Sequence, residues 1–128
     1  MQNTGIIENN RTQMRRGVLE YSILLILASG DEYASSIIQK LKDVNIIVVE
    51  GTTYPLLTRL KNMGLLNYRW EESPQGPPRK YYSITDLGRQ QLAGLDTAWT
   101  ELSSAIESIR QTSRSRHVLE LQESIMNQ

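Results

Sequence analysis

The sequence predicts a mainly α fold with one small β-hairpin, built as a single domain with a long C-terminal helix appended. Three observations predict it. An apolar run too long for a strand is followed by two shorter amphipathic segments, all at helical spacing. Two alternating segments then flank a proline- and glycine-rich turn, and six large apolar residues recur at 3- and 4-residue steps toward the C-terminus. At 128 residues the chain has room for one core but not two.

Gly17 to Ala28 is apolar on nearly all sides and is stopped by Gly30, which predicts a buried first helix over Arg15 to Ser29. Residues 1–13, rich in Asn and Gln, bury too little to offset their ordering entropy and are expected as a mobile arm. Asp31 or Glu32 can open a second helix from Tyr33 to about Asp43, with Tyr33, Ile37, Leu41 and Val44 on its core face. The β-branched stretch Ile46 to Val49 reads as a short strand. A third helix is expected from about Thr53 to Met63, with Pro55 in its first turn and Gly64 closing it. Thr53, Leu56, Leu57, Leu60 and Met63 share one arc of this helix; Tyr54, Thr58, Lys61 and Asn62 take the opposite one, with Arg59 at its edge.

Leu65 to Glu72 and Arg79 to Ile84 alternate as two strands around a stiff loop from Ser73 to Pro78. Thr85 can cap a last helix running to about Gln111, in which Leu92, Leu95, Trp99, Leu102, Ile106 and Ile109 form an a/d seam. Ser113 to Arg116 interrupts that seam, and Val118, Leu121 and Ile125 suggest a short terminal helix. The expected divisions are therefore an arm at 1–13, a domain at 14–85, a seam helix at 86–111 and a tail at 112–128.

Composition excludes more than it selects. With no cysteine and a single histidine, His117, disulfides, thiolate catalysis and zinc sites drop out. The chain has no phosphate-binding glycine loop, no GxSxG and no His–carboxylate pair at useful spacing, so no enzyme, cofactor or metal is expected. The longest apolar stretch, Ile23 to Ala28, falls far short of a bilayer span, and the first dozen residues are polar; a cytoplasmic protein without membrane contact is expected. Fourteen basic and fourteen acidic residues give zero net charge, split as +2 over residues 1–92 and −2 over 93–128. Any nucleic-acid reading must rest on local clusters.

Three helices followed by a hairpin is the winged helix-turn-helix order, in which the third helix enters the major groove and the hairpin, or wing, meets flanking backbone. The exposed face of the third helix carries groups suited to phosphates and base edges: Tyr54, Thr58, Arg59, Lys61 and Asn62. Thr52 and Thr53 lead into it. The hairpin adds Gln75 at its tip and the cations Arg79 and Lys80 at its exit; Arg15 and Arg16 form a second basic pair. Each pair also fits ordinary surface charge.

The segments Arg16 to Glu20, Tyr33 to Ile37, Glu50 to Leu60 and Gly76 to Gly88 closely resemble the PadR family of transcriptional regulators, in continuous order from about Met14 to Leu92. The resemblance implies a winged-helix repressor with Tyr54 and its neighbours in the recognition helix and Arg79 and Lys80 in the wing. It also implies a homodimer joined through the helix after the wing, as in the family's short branch. The chain departs from the family at Thr53, where leucine is usual. Six seam residues per subunit, at roughly 1.5 to 3 kcal/mol each, exceed an association cost of roughly 4 to 15 kcal/mol.

The function expected is thus a sequence-specific DNA-binding regulator, a homodimeric repressor on a pseudo-palindromic operator. Two other readings stand open. Trp99 matches the tryptophan with which multidrug-sensing relatives stack flat aromatic ligands at the dimer centre, which would make the chain a sensor of a small planar hydrophobic effector. Alternatively, near-zero net charge suits a winged helix that binds protein rather than DNA.

Overall fold

The structure, a computed structural model, describes residues 2–47 and 50–127. Four helices and three strands follow in the order α1 (Gln2–Ala28), β1 (Glu32–Tyr33), α2 (Ala34–Asp43), a 3-10 turn (Glu50–Thr52), α3 (Thr53–Asn62), β2 (Leu66–Ser73), β3 (Gly76–Ile84) and α4 (Asp86–Met126). The mainly α class with a hairpin and a long last helix is as expected. The chain divides into two units, Met1–Ala93 and Gly94–Gln128. Among the described residues no helix is long and apolar enough to cross a membrane.

The core of the first unit is assembled from one stripe of each helix and the base of the hairpin. α1 supplies Leu19, Ile23, Leu24 and Leu27, α2 Ile37, Ile38 and Leu41, α3 Leu57 and Leu60, and the sheet Leu66 and Tyr82. Leu65 and Ile47 close it from the connections. Burial pushes the Tyr82 phenol above its ordinary value, and neighbouring Tyr68 adds to the effect.

Helix ends are set by local chemistry. α2 stops at Val44 because Asn45 adopts a left-handed φ of 61°; Asn45 N–H then bonds the Lys42 carbonyl (3.0 Å) and Ile46 N–H the Leu41 carbonyl (2.9 Å). This turn carries Val44 away from the core, so it is exposed rather than on the core face expected for it. It also diverts Ile46 and Ile47, whose N–H groups bond Leu41 instead of a neighbouring strand; neither lies in a strand, and Val48 and Val49 lie outside the described residues. α3 ends in the same motif, with Gly64 at φ 80° and bonds from Gly64 to Lys61 and from Leu65 to Leu60, each 3.0 Å.

Other expectations are corrected. Residues 2–13 are not a separate arm without regular structure but the first turns of α1. Their side chains from Gly5 on are exposed, so burial does not hold them. Once the buried turns have nucleated a helix, extending it is inexpensive, and a Glu8–Arg11 ion pair lies along it. Tyr33 precedes α2, in extended conformation, and belongs to a third strand that the sequence did not suggest. The sheet order is β1-β3-β2, antiparallel throughout, with Glu32 opposite Tyr82 and Tyr33 opposite Tyr81. The hairpin turn is only Pro74 and Gln75, so Ser73 and Gly76 to Pro78 lie in strands. Prolines are tolerated there because β1 pairs only with Tyr81 and Tyr82, leaving β3 an open edge at Pro77 and Pro78. Finally, α4 passes Ser113 to Arg116 without a break. That stretch lacks glycine and proline, and polar residues on a solvated face do not stop a helix.

α3, the hairpin and α4 meet at one knot. The Thr85 hydroxyl donates to the Gly64 carbonyl (2.6 Å), with the Leu65 carbonyl 3.0 Å away, and accepts the N–H of Gly88 (2.9 Å). Thr85 N–H donates to the same Leu65 carbonyl (3.1 Å). Thr85 is therefore both the cap of α4, as expected, and a clamp on the end of α3. A Cβ at Gly88 would lie 2.2 Å from Leu65 O and 2.7 Å from Ile84 Cγ1, so only glycine fits.

Two stability predictions follow from these contacts. Gly88→Ala should lower the unfolding free energy by about 2 to 4 kcal/mol in urea titration, since backbone must move to make room; a loss below about 0.5 kcal/mol would contradict so close an approach. Thr53, fully buried with an Oγ1 that has no hydrogen-bond partner among the described residues, offers the opposite case. Thr53→Val keeps the shape and removes the unsatisfied hydroxyl, so stability should stay level or rise by about 1 kcal/mol.

Candidate nucleic-acid interface

The outer face of α3 is a patch of short-range hydrogen-bonding groups backed by one cation. Tyr54, Thr58, Arg59 and Asn62 are exposed, while Leu57 and Leu60 anchor the opposite face in the core. Thr58 Oγ1 donates its proton to the Tyr54 carbonyl (3.3 Å), which leaves the hydroxyl free to accept. Lys61 is half-buried, its ammonium 5.8 Å from the centroid of the Tyr68 ring, so it turns toward the hairpin rather than straight outward. Thr53 is the residue on which the expected site fails: as the first residue of α3 it is 0% exposed, and its side chain faces the core. Its neighbour Thr52 is exposed in the preceding 3-10 turn.

Arg15 and Arg16, far from α3 in sequence, come to its N-terminal end. With Thr12, Leu19, Ile46, Ile47 and Thr52 they line a cleft of about 140 Å³, so the second basic pair and the start of α3 share one surface depression.

The hairpin displays its cations on opposite faces, because Arg79 and Lys80 are consecutive in β3. Lys80 sits across from Trp70 in the ladder, with its ammonium 4.6 Å from the Tyr68 centroid and 5.7 Å from that of Trp70. Lys61 and Lys80 thus both approach Tyr68. Trp70 stands edge-on to Tyr68 (5.9 Å) and is 62% exposed, lying beyond the packed base of the hairpin. Gln75 is exposed in the turn.

On the other face four side chains form a stacked row. The Arg79 guanidinium lies 4.0 Å from the Tyr33 centroid, Tyr33 is 4.7 Å from Tyr81, and the Arg69 guanidinium is 4.6 Å from Tyr81. Arg69 is also held in its plane: Nε donates to Glu71 Oε1 (2.7 Å) and Nη1 to Asp31 Oδ2 (3.3 Å). The hydrogen bond to Glu71 and then that to Asp31 raise the Arg69 pKa above its ordinary value. Sequence reasoning missed this row. Strand alternation places Arg69, Glu71, Arg79 and Tyr81 on one face, but Tyr33 joins them only through the β1–β3 pairing.

The seam residues of α4 follow a gradient. Leu92 and Leu95 are half-buried; Trp99 (45% exposed), Leu102, Ile106 and Ile109 stand open to solvent. The later apolar residues Val118, Leu121 and Ile125 are likewise exposed on the same continuous helix. His117 is exposed.

Residues 23–94, covering α2, α3 and the hairpin with part of α1 and α4, match the transcriptional regulator PadR-like family. The fold is shared with a PadR-like transcription factor from Bacteroides fragilis, 56% identical, with a TM-score of 0.66 over 79% of this chain and 98% of that one. A PadR-like transcriptional regulator from Bacillus cereus is 37% identical, with a TM-score of 0.70 over 77% of this chain and 97% of its own. PadR of Bacillus subtilis, whose structure is a complex with operator DNA, is 27% identical and superposes with a TM-score of 0.56 over 61% of this chain and 46% of that longer one. With a winged helix, an outward polar face on α3 and a family match over more than half its length, the chain belongs to the PadR-like family of transcriptional regulators.

Proposed function

We propose that this regulator is a repressor that binds a pseudo-palindromic operator as a homodimer. The observation that carries the reading is that one chain presents three surfaces: the polar outer face of α3, the basic pairs of α1 and the hairpin, and an exposed apolar stripe on α4. Tyr54, Thr58, Arg59 and Asn62 take the base-edge and phosphate contacts, with Lys61 reaching backbone beside Lys80. Arg79, Lys80 and Gln75 serve the wing, and Arg15, Arg16 and Thr52 hold a phosphate at the N-terminal end of α3. Thr53 has no contact role in this scheme. The neighbour whose structure is a complex with operator DNA supports the DNA-binding reading by analogy. Catalysis has no part in the reading, and net charge near zero leaves the basic clusters to supply the attraction.

Leu92, Leu95, Trp99, Leu102, Ile106 and Ile109 are the pairing residues in this reading, and a pseudo-palindromic operator calls for two α3 helices about one DNA turn, roughly 34 Å, apart. A second reading concerns Trp99, whose half-exposed ring lies within this stripe. A planar hydrophobic effector stacked on it at the dimer axis would couple ligand to operator affinity; quenching of Trp99 fluorescence by flat aromatic dyes without any release of DNA would leave that pocket incidental.

Binding to the DNA upstream of its own gene at physiological salt, with derepression of a reporter when the protein is removed, tests the main reading. Failure to bind DNA would favour the protein-interaction alternative, and a fall in reporter output would make it an activator. Arg79→Ala should reduce the slope of log affinity against log salt by about one per lost phosphate contact, hence about two per dimer; an unchanged slope removes the wing. Leu102→Glu with Ile106→Glu should yield monomers in sedimentation, because burying four carboxylates per dimer costs several kcal/mol. A dimer that persists would place the interface elsewhere.

A further inference from the structure

Three cations occupy the hairpin strands, and their partners differ in kind. The Arg69 guanidinium carbon lies 4.6 Å from the Tyr81 centroid, and its N–H groups bond two carboxylates. Lys80 is a point charge above Tyr68. The Arg79 guanidinium carbon lies 4.0 Å from the Tyr33 centroid, and among the described residues no carboxylate pairs with this guanidinium, although Glu71 lies directly opposite it in the ladder. The Glu71 carboxylate is engaged by Arg69 instead.

A guanidinium uses its two kinds of surface independently: the flat face stacks on an aromatic ring while the in-plane N–H groups remain available to an oxyanion. We propose that Tyr33 is a positioning residue for DNA binding, a platform that holds the Arg79 guanidinium with its N–H edge free for a phosphate, while Arg69 keeps Glu71 from capturing that edge. The inference rests on the wing reading above and goes beyond it by assigning roles to two residues that touch no DNA. Tyr33 is suited to the task because Tyr81 restrains it in two ways. Its backbone pairs with Tyr81 in the sheet, and its ring stacks on the Tyr81 ring at 4.7 Å. An arginine on a mobile hairpin loses several rotamers on meeting a phosphate; one already stacked loses fewer.

The test uses the full-length protein and a duplex selected from a random pool for binding to it. Removing an exposed cation–π contact in each subunit, Tyr33→Leu should weaken binding by about five- to thirtyfold per dimer. Tyr33→Phe, which keeps the ring, should stay within about twofold of the parent. In an Arg79→Ala background Tyr33→Leu should cost nothing further; an equal loss in both backgrounds overturns the proposal. Arg79→Ala with parental affinity and salt slope would overturn the wing reading and this inference together. A salt-slope loss in Arg79→Ala beside parental binding by Tyr33→Leu would overturn this inference alone.

Should Tyr33→Leu fail to fold, the second arm decides. Arg69→Ala should weaken binding by releasing Glu71 toward Arg79, and adding Glu71→Gln should restore it to within about twofold of Glu71→Gln alone. No restoration would show that Arg69 acts by itself, and would overturn the proposal.

Discussion

The hydroxyl of Thr85 joins three elements that carry the candidate interface. It accepts from the first turn of α4 and donates to the Gly64 carbonyl just past the end of α3, and the Thr85 N–H adds a tie at the Leu65 carbonyl. The close approach that this requires is possible only because Gly88 has no side chain. α3 is ten residues long, too short to be stable by itself, so its direction depends on the two ends that hold it. One end is the buried Thr53 and the other is this clamp. The outer face of α3 is thereby presented as a rigid surface, which is what recognition of a groove demands.

The hairpin is organised by a different force. Its base is anchored by Leu66 and Tyr82 in the core, but toward its tip apolar burial gives way to aromatic rings covered by cations on both faces. Each such contact is weak, about 0.5 to 1 kcal/mol at an exposed site. Their value lies in orientation, because they settle which cations have a free edge and which are spent on carboxylates. Arg69 and Arg79, equivalent by charge and strand face, differ in this respect.

Much of this was legible in the residues themselves. The two faces of α3 up to its C-cap Met63, which is exposed rather than on the core arc, the cap at Thr85, the alternation of the hairpin and the apolar stripe on α4 all follow from local periodicity and cap chemistry. The errors have physical causes. Residues 2–13 looked unable to fold because they bury little, yet they extend a helix nucleated elsewhere. Ile46 and Ile47 have strand propensity, but the left-handed Asn45 committed their N–H groups to the end of α2. Pro77 and Pro78 looked like loop, but sit where β3 has a partner on one side only. The run Ser113 to Arg116 looked like a break, but polarity alone does not end a helix.

The sequence by itself determined the order of elements, the polar face of α3, the cations of the wing and the apolar seam, because each is written in residues within a few turns of one another. Only the tertiary structure decided that Tyr33 is a strand residue beneath Arg79, that Arg15 and Arg16 share a cleft with Thr52, and that Gly88 must be glycine. Those facts depend on residues distant along the chain arriving side by side, as Asp31 and Arg69 do at a separation of 38 positions. A periodic pattern records which face is buried but not which distant residue it is buried against.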